Sequence, residues 1–107
     1  MKYRNNIELS GYISKVNTDS DKCVWINIAQ NNNFKTKEGI DVETTSFFNA
    51  RLFKDMYEDN KNILEIGKPI IISGALRVYF DKLNNKVSFI QVFGIKEVKQ
   101  TNDESNE

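Results

Sequence analysis

Five strand-like runs, the first three alternating apolar and polar residues with a period of two, make up most of this chain, and one run of helical character lies among them. In NIELSGYISKV (6–16), Ile7, Leu9 and Ile13 share one side, with Glu8, Ser10, Tyr12 and Ser14 on the other. Gly11 falls mid-strand, where glycine marks a bend or a close backbone approach. NTDSDK (17–22) is a turn by composition. CVWINIAQ (23–30) alternates cleanly, with Val24, Ile26 and Ile28 inward and Trp25, Asn27 and Ala29 outward. A polar connection follows, NNNFKTKEGIDVE (31–43), longer than most hairpin loops and therefore expected to be disordered or functional. TTSFFNARLF (44–53) then places Phe48, Ala50 and Leu52 on one side and Phe47, Asn49, Arg51 and Phe53 on the other.

KDMYEDNKNILEIGK (54–68) is the one helix candidate, with Met56, Ile63 and Leu64 able to share a face, Gly67 as a stop and Pro69 forbidding continuation. IIISGALRVYF (70–80) reads as a fourth strand with a second interior glycine, Gly74. DKLNNK (81–86) holds an Asn-Asn hairpin turn, and VSFIQVFGI (87–95) is the last strand. Beyond about Val98 the chain is polar and acidic with nothing to bury, so 1–98 is expected to form one domain and 99–107 a short disordered tail. The order β-β-β-α-β-β, with glycines inside strands as closure of a small barrel requires, predicts an all-β fold. It is a five-stranded OB-fold Greek-key barrel with one helix between strands three and four. A small α+β sandwich is the competing arrangement.

Composition narrows the function classes. The 107 residues include one cysteine, Cys23, and no histidine. Zinc sites of the usual kinds and Ser-His or Cys-His nucleophilic machinery are thereby excluded, and no disulfide framework exists. Acids are scattered through loops and the helical run, without a pair on a core-facing strand. The chain reads as a binding protein rather than an enzyme, with no cofactor, metal or small-molecule substrate expected. No window approaches the roughly 18 apolar residues of a membrane span, and MKYRNNIELS lacks a secretory signal, so the expected address is the cytoplasm. Formal net charge is zero. The stretch 99–107 holds one Lys against one Asp and two Glu, which leaves 14 basic and 12 acidic residues in 1–98. A mildly basic body permits a polyanionic partner without demanding one.

The outward faces carry the candidate chemistry. Strand two offers Trp25 and Asn27, strand three offers Phe47, Asn49, Arg51 and Phe53, and strand four offers Arg77 and Tyr79, with Phe80 at its tip. The long connection adds Phe34, Lys35 and Lys37. Planar side chains interleaved with cations suit an unpaired nucleic-acid strand: bases stack on rings, cations meet phosphates, and the amides reach base edges or sugars. Such rings can instead lie under the helix or in an oligomer interface, and strand two can instead form a dimer sheet around Trp25. Phe48, Phe89 and Phe93 are assigned to the core, Tyr57 to packing or solvent, and Tyr12 to the margin of the ligand face.

FKDMYEDNKNILEIGKPIIISGALR (53–77) resembles the single-stranded DNA-binding proteins of bacteria and their phages and plasmids. In that family a phenylalanine closes the third strand, a helix ends Leu-x-x-Gly, and the fourth strand carries Gly-x-Leu-Arg. Phe53, Leu64–Gly67 and Gly74–Arg77 match in order and spacing. ELSGYI, VWINIAQN and TSFFNARLF are similar to the first three strands, so the likeness spans roughly residues 5–95. The resemblance implies single-stranded DNA binding in replication or recombination, with stacking aromatics at Phe34, Phe47 and Phe53 and a basic contact at Arg51. The family's fourth-strand aromatic falls at Asp81 here, so that stack is assigned to Tyr79. Trp25 has no aromatic counterpart. The resemblance further implies a homo-oligomer, a tetramer or dimer. Because QTNDESNE lacks the Pro-Phe tip of cellular members, it implies a phage- or plasmid-borne form. The alternative function is an OB-fold adaptor that uses its aromatic face to bind a replication protein.

Overall fold

Strands with one apolar side can hide it by curling together, and here the curl closes. A computed structural model describes residues 1–98. The elements are β1 (Ile7–Asn17), β2 (Cys23–Lys35), β3 (Asp41–Phe53), α1 (Lys54–Asp59), β4 (Pro69–Phe80) and β5 (Lys86–Glu97). The strands form a closed barrel in the order β1-β2-β3-β5-β4, with β4 returning to β1. Only β3 and β5 run parallel; the other neighbouring pairs are antiparallel. This is the OB-fold arrangement predicted from the alternation. No helix among the described residues is long and apolar enough to cross a membrane.

The interior is filled by aliphatic residues, most of them β-branched: Ile13, Val24, Ile26, Ile28, Ala50, Leu52, Ile70, Ile72, Ile90 and Val92. These are the inward sets of the alternating runs, and each fully buried Ile or Leu is worth about 1.5–3 kcal/mol. Phe48 is half-buried and packs against this core, as expected. Two glycines let strands approach where a side chain cannot fit. A Cβ at Gly11 would meet the Ala29 carbonyl oxygen at 2.5 Å, and one at Gly74 would run into the Gln91 carbonyl.

Four expectations need correction. The connection 31–43 is not a loop: β2 and β3 pair without a break from Cys23↔Phe53 to Lys35↔Asp41, forming a ribbon that extends past the barrel. Thr36–Ile40 closes it, with the Thr36 N–H donating to the Ile40 carbonyl (2.9 Å) and Gly39 at φ +85. Neither side of the ribbon is buried, so its residues are polar on both sides and hydropathy carries no strand signal. Cross-strand pairs replace it, such as Asn32 Nδ2 donating to Ser46 Oγ (2.8 Å) and Thr45 Oγ1 donating to Asn31 Oδ1 (3.1 Å).

The helix expected over 54–68 stops at Asp59. Asn60 turns its side chain back, Nδ2 donating to the Met56 carbonyl (2.9 Å), and Asn is a poor helix former for that reason. Turns carry Leu64 into the core and lead to Gly67, whose φ of +93 belongs to that last turn rather than to a helix end. There the Gly67 N–H donates to the Ile13 carbonyl (2.7 Å), tying the segment to β1. The Asp81–Asn85 turn is as expected: Asn84 takes φ +65, and Asp81 Oδ1 accepts from the Leu83 and Asn85 N–H groups at 2.9 and 2.8 Å.

Phe93, assigned to the core, is 58% exposed. The β4–β5 register jumps there, from Ser73↔Gly94 to Gly74↔Val92, so Phe93 is the extra residue of a bulge and swings outward. Phe89, also assigned to the core, is buried, but beneath the barrel's outer face. Ile90 and Val92 take the inward parity of β5, which leaves Phe89 and Gln91 outside. The expected tail 99–107 lies outside the described residues.

Candidate nucleic-acid interface

Register decides which outward side chains become neighbours. Between β2 and β3 it sets Cys23 beside Phe53, Trp25 beside Arg51, Asn27 beside Asn49 and Ala29 beside Phe47. The parallel pairing of β3 with β5 adds Gln91 next to Arg51, and β4 adds Arg77 next to Phe89. On the other flank, β1 contributes Tyr12 next to Ala29 and Lys15 next to Asn27. Lys15 reaches this side because β1 bulges between Ile13 and Lys15. Without that extra residue Lys15 would have shared Ile13's inward parity. No carboxylate stands among the residues brought together here.

The centre of the face is a built aromatic cluster. The Trp25 and Phe89 rings meet edge to face at 5.2 Å, and Tyr79 meets Phe89 in the same way at 5.9 Å. Such contacts add about 0.5–1.5 kcal/mol to the area they bury. The Arg51 guanidinium carbon lies 4.5 Å from the Phe89 ring centre and 5.9 Å from that of Trp25. Its Nε–H donates to Gln91 Oε1 at 2.8 Å, while Gln91 Nε2 donates to the Arg51 carbonyl at 3.2 Å. Around this cluster Phe47 and Phe53 stand 62% and 56% exposed.

Beside it runs a chain of amides. Ser14 Oγ–H donates to Asn27 Oδ1 (2.7 Å), and Asn27 Nδ2 donates to Asn49 Oδ1 (3.0 Å). Asn49 therefore keeps its own N–H pair for whatever approaches. A cleft of about 290 Å³ opens here, lined by Lys15, Asn17, Trp25, Ile26, Asn27 and Asn49.

Of the residues singled out by the sequence, Trp25, Asn27, Phe47, Asn49, Arg51, Phe53, Arg77 and Tyr79 share this face. Phe34, Lys35 and Lys37 do not join it directly. They ride on the β2–β3 ribbon, where Phe34 pairs with Val42 on the pleat side opposite to Phe47. Lys35 sits 3.3 Å from Asp41 in an exposed ion pair, worth little in water. Three face residues escaped the sequence reading: Phe89, Gln91 and Lys15. Phe89 and Gln91 were legible from the inward parity of Ile90 and Val92. Lys15 was not, because its position depends on a bulge.

No family model and no curated protein matches the chain. Solved structures do. The "Plasmodium falciparum SSB complex with ssDNA" aligns with a TM-score of 0.74 and 13% identity, over 92% of this chain and 98% of that one. A small single-stranded DNA-binding protein from Mycoplasma pneumoniae aligns at 0.73 and 20%, over 92% and 98%. The fold is shared with single-stranded DNA-binding proteins. A Thermus aquaticus single-stranded DNA-binding protein aligns at 0.72 and 18%, over 90% of this chain and 50% of that one. At such identities the likeness speaks for the barrel and its connections, and the side chains must speak for the ligand.

Proposed function

We propose that this is a non-enzymatic protein that coats single-stranded DNA by stacking and phosphate contact, with little sequence preference. The observation that carries the reading is the outer barrel face on which Phe47, Phe53 and Tyr79 stay exposed around Arg51, on a fold that solved single-stranded DNA-binding proteins share. Every base offers a π-face whatever its identity, so rings left in water have an unpaired strand as their natural occupant. A duplex hides those faces. In this reading Trp25, Phe47, Phe53 and Tyr79 take bases, Arg77 and Lys15 meet phosphates, and Asn27 and Asn49 reach base edges or sugars. Phe34, Lys35 and Lys37 extend the path along the ribbon.

The role is in DNA replication or recombination, and the protein acts as a homo-oligomer. Support for self-association comes from β4, where Leu76, Val78 and Phe80 alternate on one side of the strand and stay exposed. An apolar stripe of that kind favours a protein surface over water.

Titration of labelled oligo-dT at low salt, read by anisotropy and by Trp25 emission, tests the binding function. Binding that a duplex of equal length fails to compete away is expected. Flat anisotropy and flat emission together would overturn it and turn attention to a protein ligand for the same face.

A further inference from the structure

We infer that Arg51 acts as a planar stacking platform rather than as a free phosphate clamp, with Gln91 as the positioning residue that holds it flat; this rests on the single-stranded DNA reading above. Gln91 is the one buried polar side chain among the described residues, at 4% exposure. Burying an amide costs free energy unless both its ends are matched, and an apolar residue would fill that place without the cost. Both ends of Gln91 are matched by a single residue: Oε1 by the Arg51 Nε–H and Nε2 by the Arg51 carbonyl. Both of the amide's hydrogen bonds go to Arg51.

What the pair achieves is orientation. An arginine reaches phosphate side-on through Nε–H and one Nη–H, or end-on through its two Nη groups. The Nε–H is already given to Gln91, so the side-on fork is closed. With Nε fixed, the guanidinium is held over the Phe89 ring, its carbon 4.5 Å from the ring centre. Arg51 is only half-buried and forms no ion pair with a described residue. Part of its surface therefore stays accessible to solvent, with Trp25 beside it across the β2–β3 pair. Bases stack on guanidinium planes as they do on aromatic rings. Arg51 thus extends the aromatic surface of Trp25 and Phe89.

Charge and planarity can be separated by comparing oligo-dT with an abasic strand of equal length. In Arg51→Lys the charge stays and the plane is lost. The ratio of dT to abasic affinity is expected to fall about tenfold, the value of one modest stack, with the salt slope unchanged. Gln91→Met is expected to lower the same ratio, and to do nothing further when added to Arg51→Lys, because it acts through Arg51. Should Gln91→Met melt early, Gln91→Glu takes its place: it keeps an acceptor for Nε but sets its second oxygen against the Arg51 carbonyl, so it too is expected to lower the ratio, with no further loss on Arg51→Lys. An unchanged ratio in Arg51→Lys, or independent losses in the double variant, overturns the platform while leaving DNA binding intact. Wild-type protein that ignores oligo-dT altogether overturns the parent reading instead.

Discussion

Phe53 and Phe89 show how much the same side chain depends on its place. Phe53 ends β3 with more than half its surface in water, so the folded barrel gains little from it. Phe53→Ala is expected to weaken oligo-dT binding by about 1–3 kcal/mol, with a melting temperature close to wild type. Phe89 sits beneath the face, gripped by Trp25, Tyr79 and Arg51. Phe89→Ala is expected to cost about 3 kcal/mol of stability and to loosen the cluster as well. Thermal melts beside DNA titrations of the two variants check both expectations. An equal loss of stability in both would mean that Phe53 belongs to the packing. At this scale the β3 face was legible in TTSFFNARLF, because strict alternation assigns each residue to a side. The chain of contacts from Arg51 to Gln91 was not, since those residues stand 40 positions apart.

Among the elements, the glycine with least room for a side chain is Gly74, where β4 passes β5. A methyl group there meets the Gln91 backbone, which cannot move without breaking the ladder. Gly74→Ala is therefore expected to destabilise the protein by at least about 1–3 kcal/mol in denaturant titrations. Gly39→Ala at the ribbon tip has open space and pays only for its positive φ, about 1–2 kcal/mol. A Gly74→Ala variant as stable as Gly39→Ala would show that the strands can part. The β2–β3 ribbon was invisible in the pattern because hydropathy reports burial, and this ribbon buries neither side. The helix was overestimated for a related reason. Met56, Ile63 and Leu64 do all turn toward the core, but Met56 does so from the short helix and Ile63 and Leu64 from the turns after Asp59, rather than along one helical face.

For the molecule as a whole, zero net charge and a face built of rings predict modest salt dependence. About four phosphate contacts per chain correspond to a slope of log K against log salt near −3 for single strands. A slope steeper than about −7 per chain would mean that charge governs binding. Val78→Lys, placed in the exposed stripe of β4, is expected to lower the solution mass toward that of a single chain. An unchanged mass would remove that stripe from the interface. The sequence by itself determined the order of the elements and the inward side of most strands. An apolar residue every second position has only one way to leave water, and that requirement is local. The tertiary structure alone decided which outward residues meet. The pairings β1–β4 and β3–β5 join distant segments, and the bulges at Ser14 and Phe93 reverse the parity that local alternation implies.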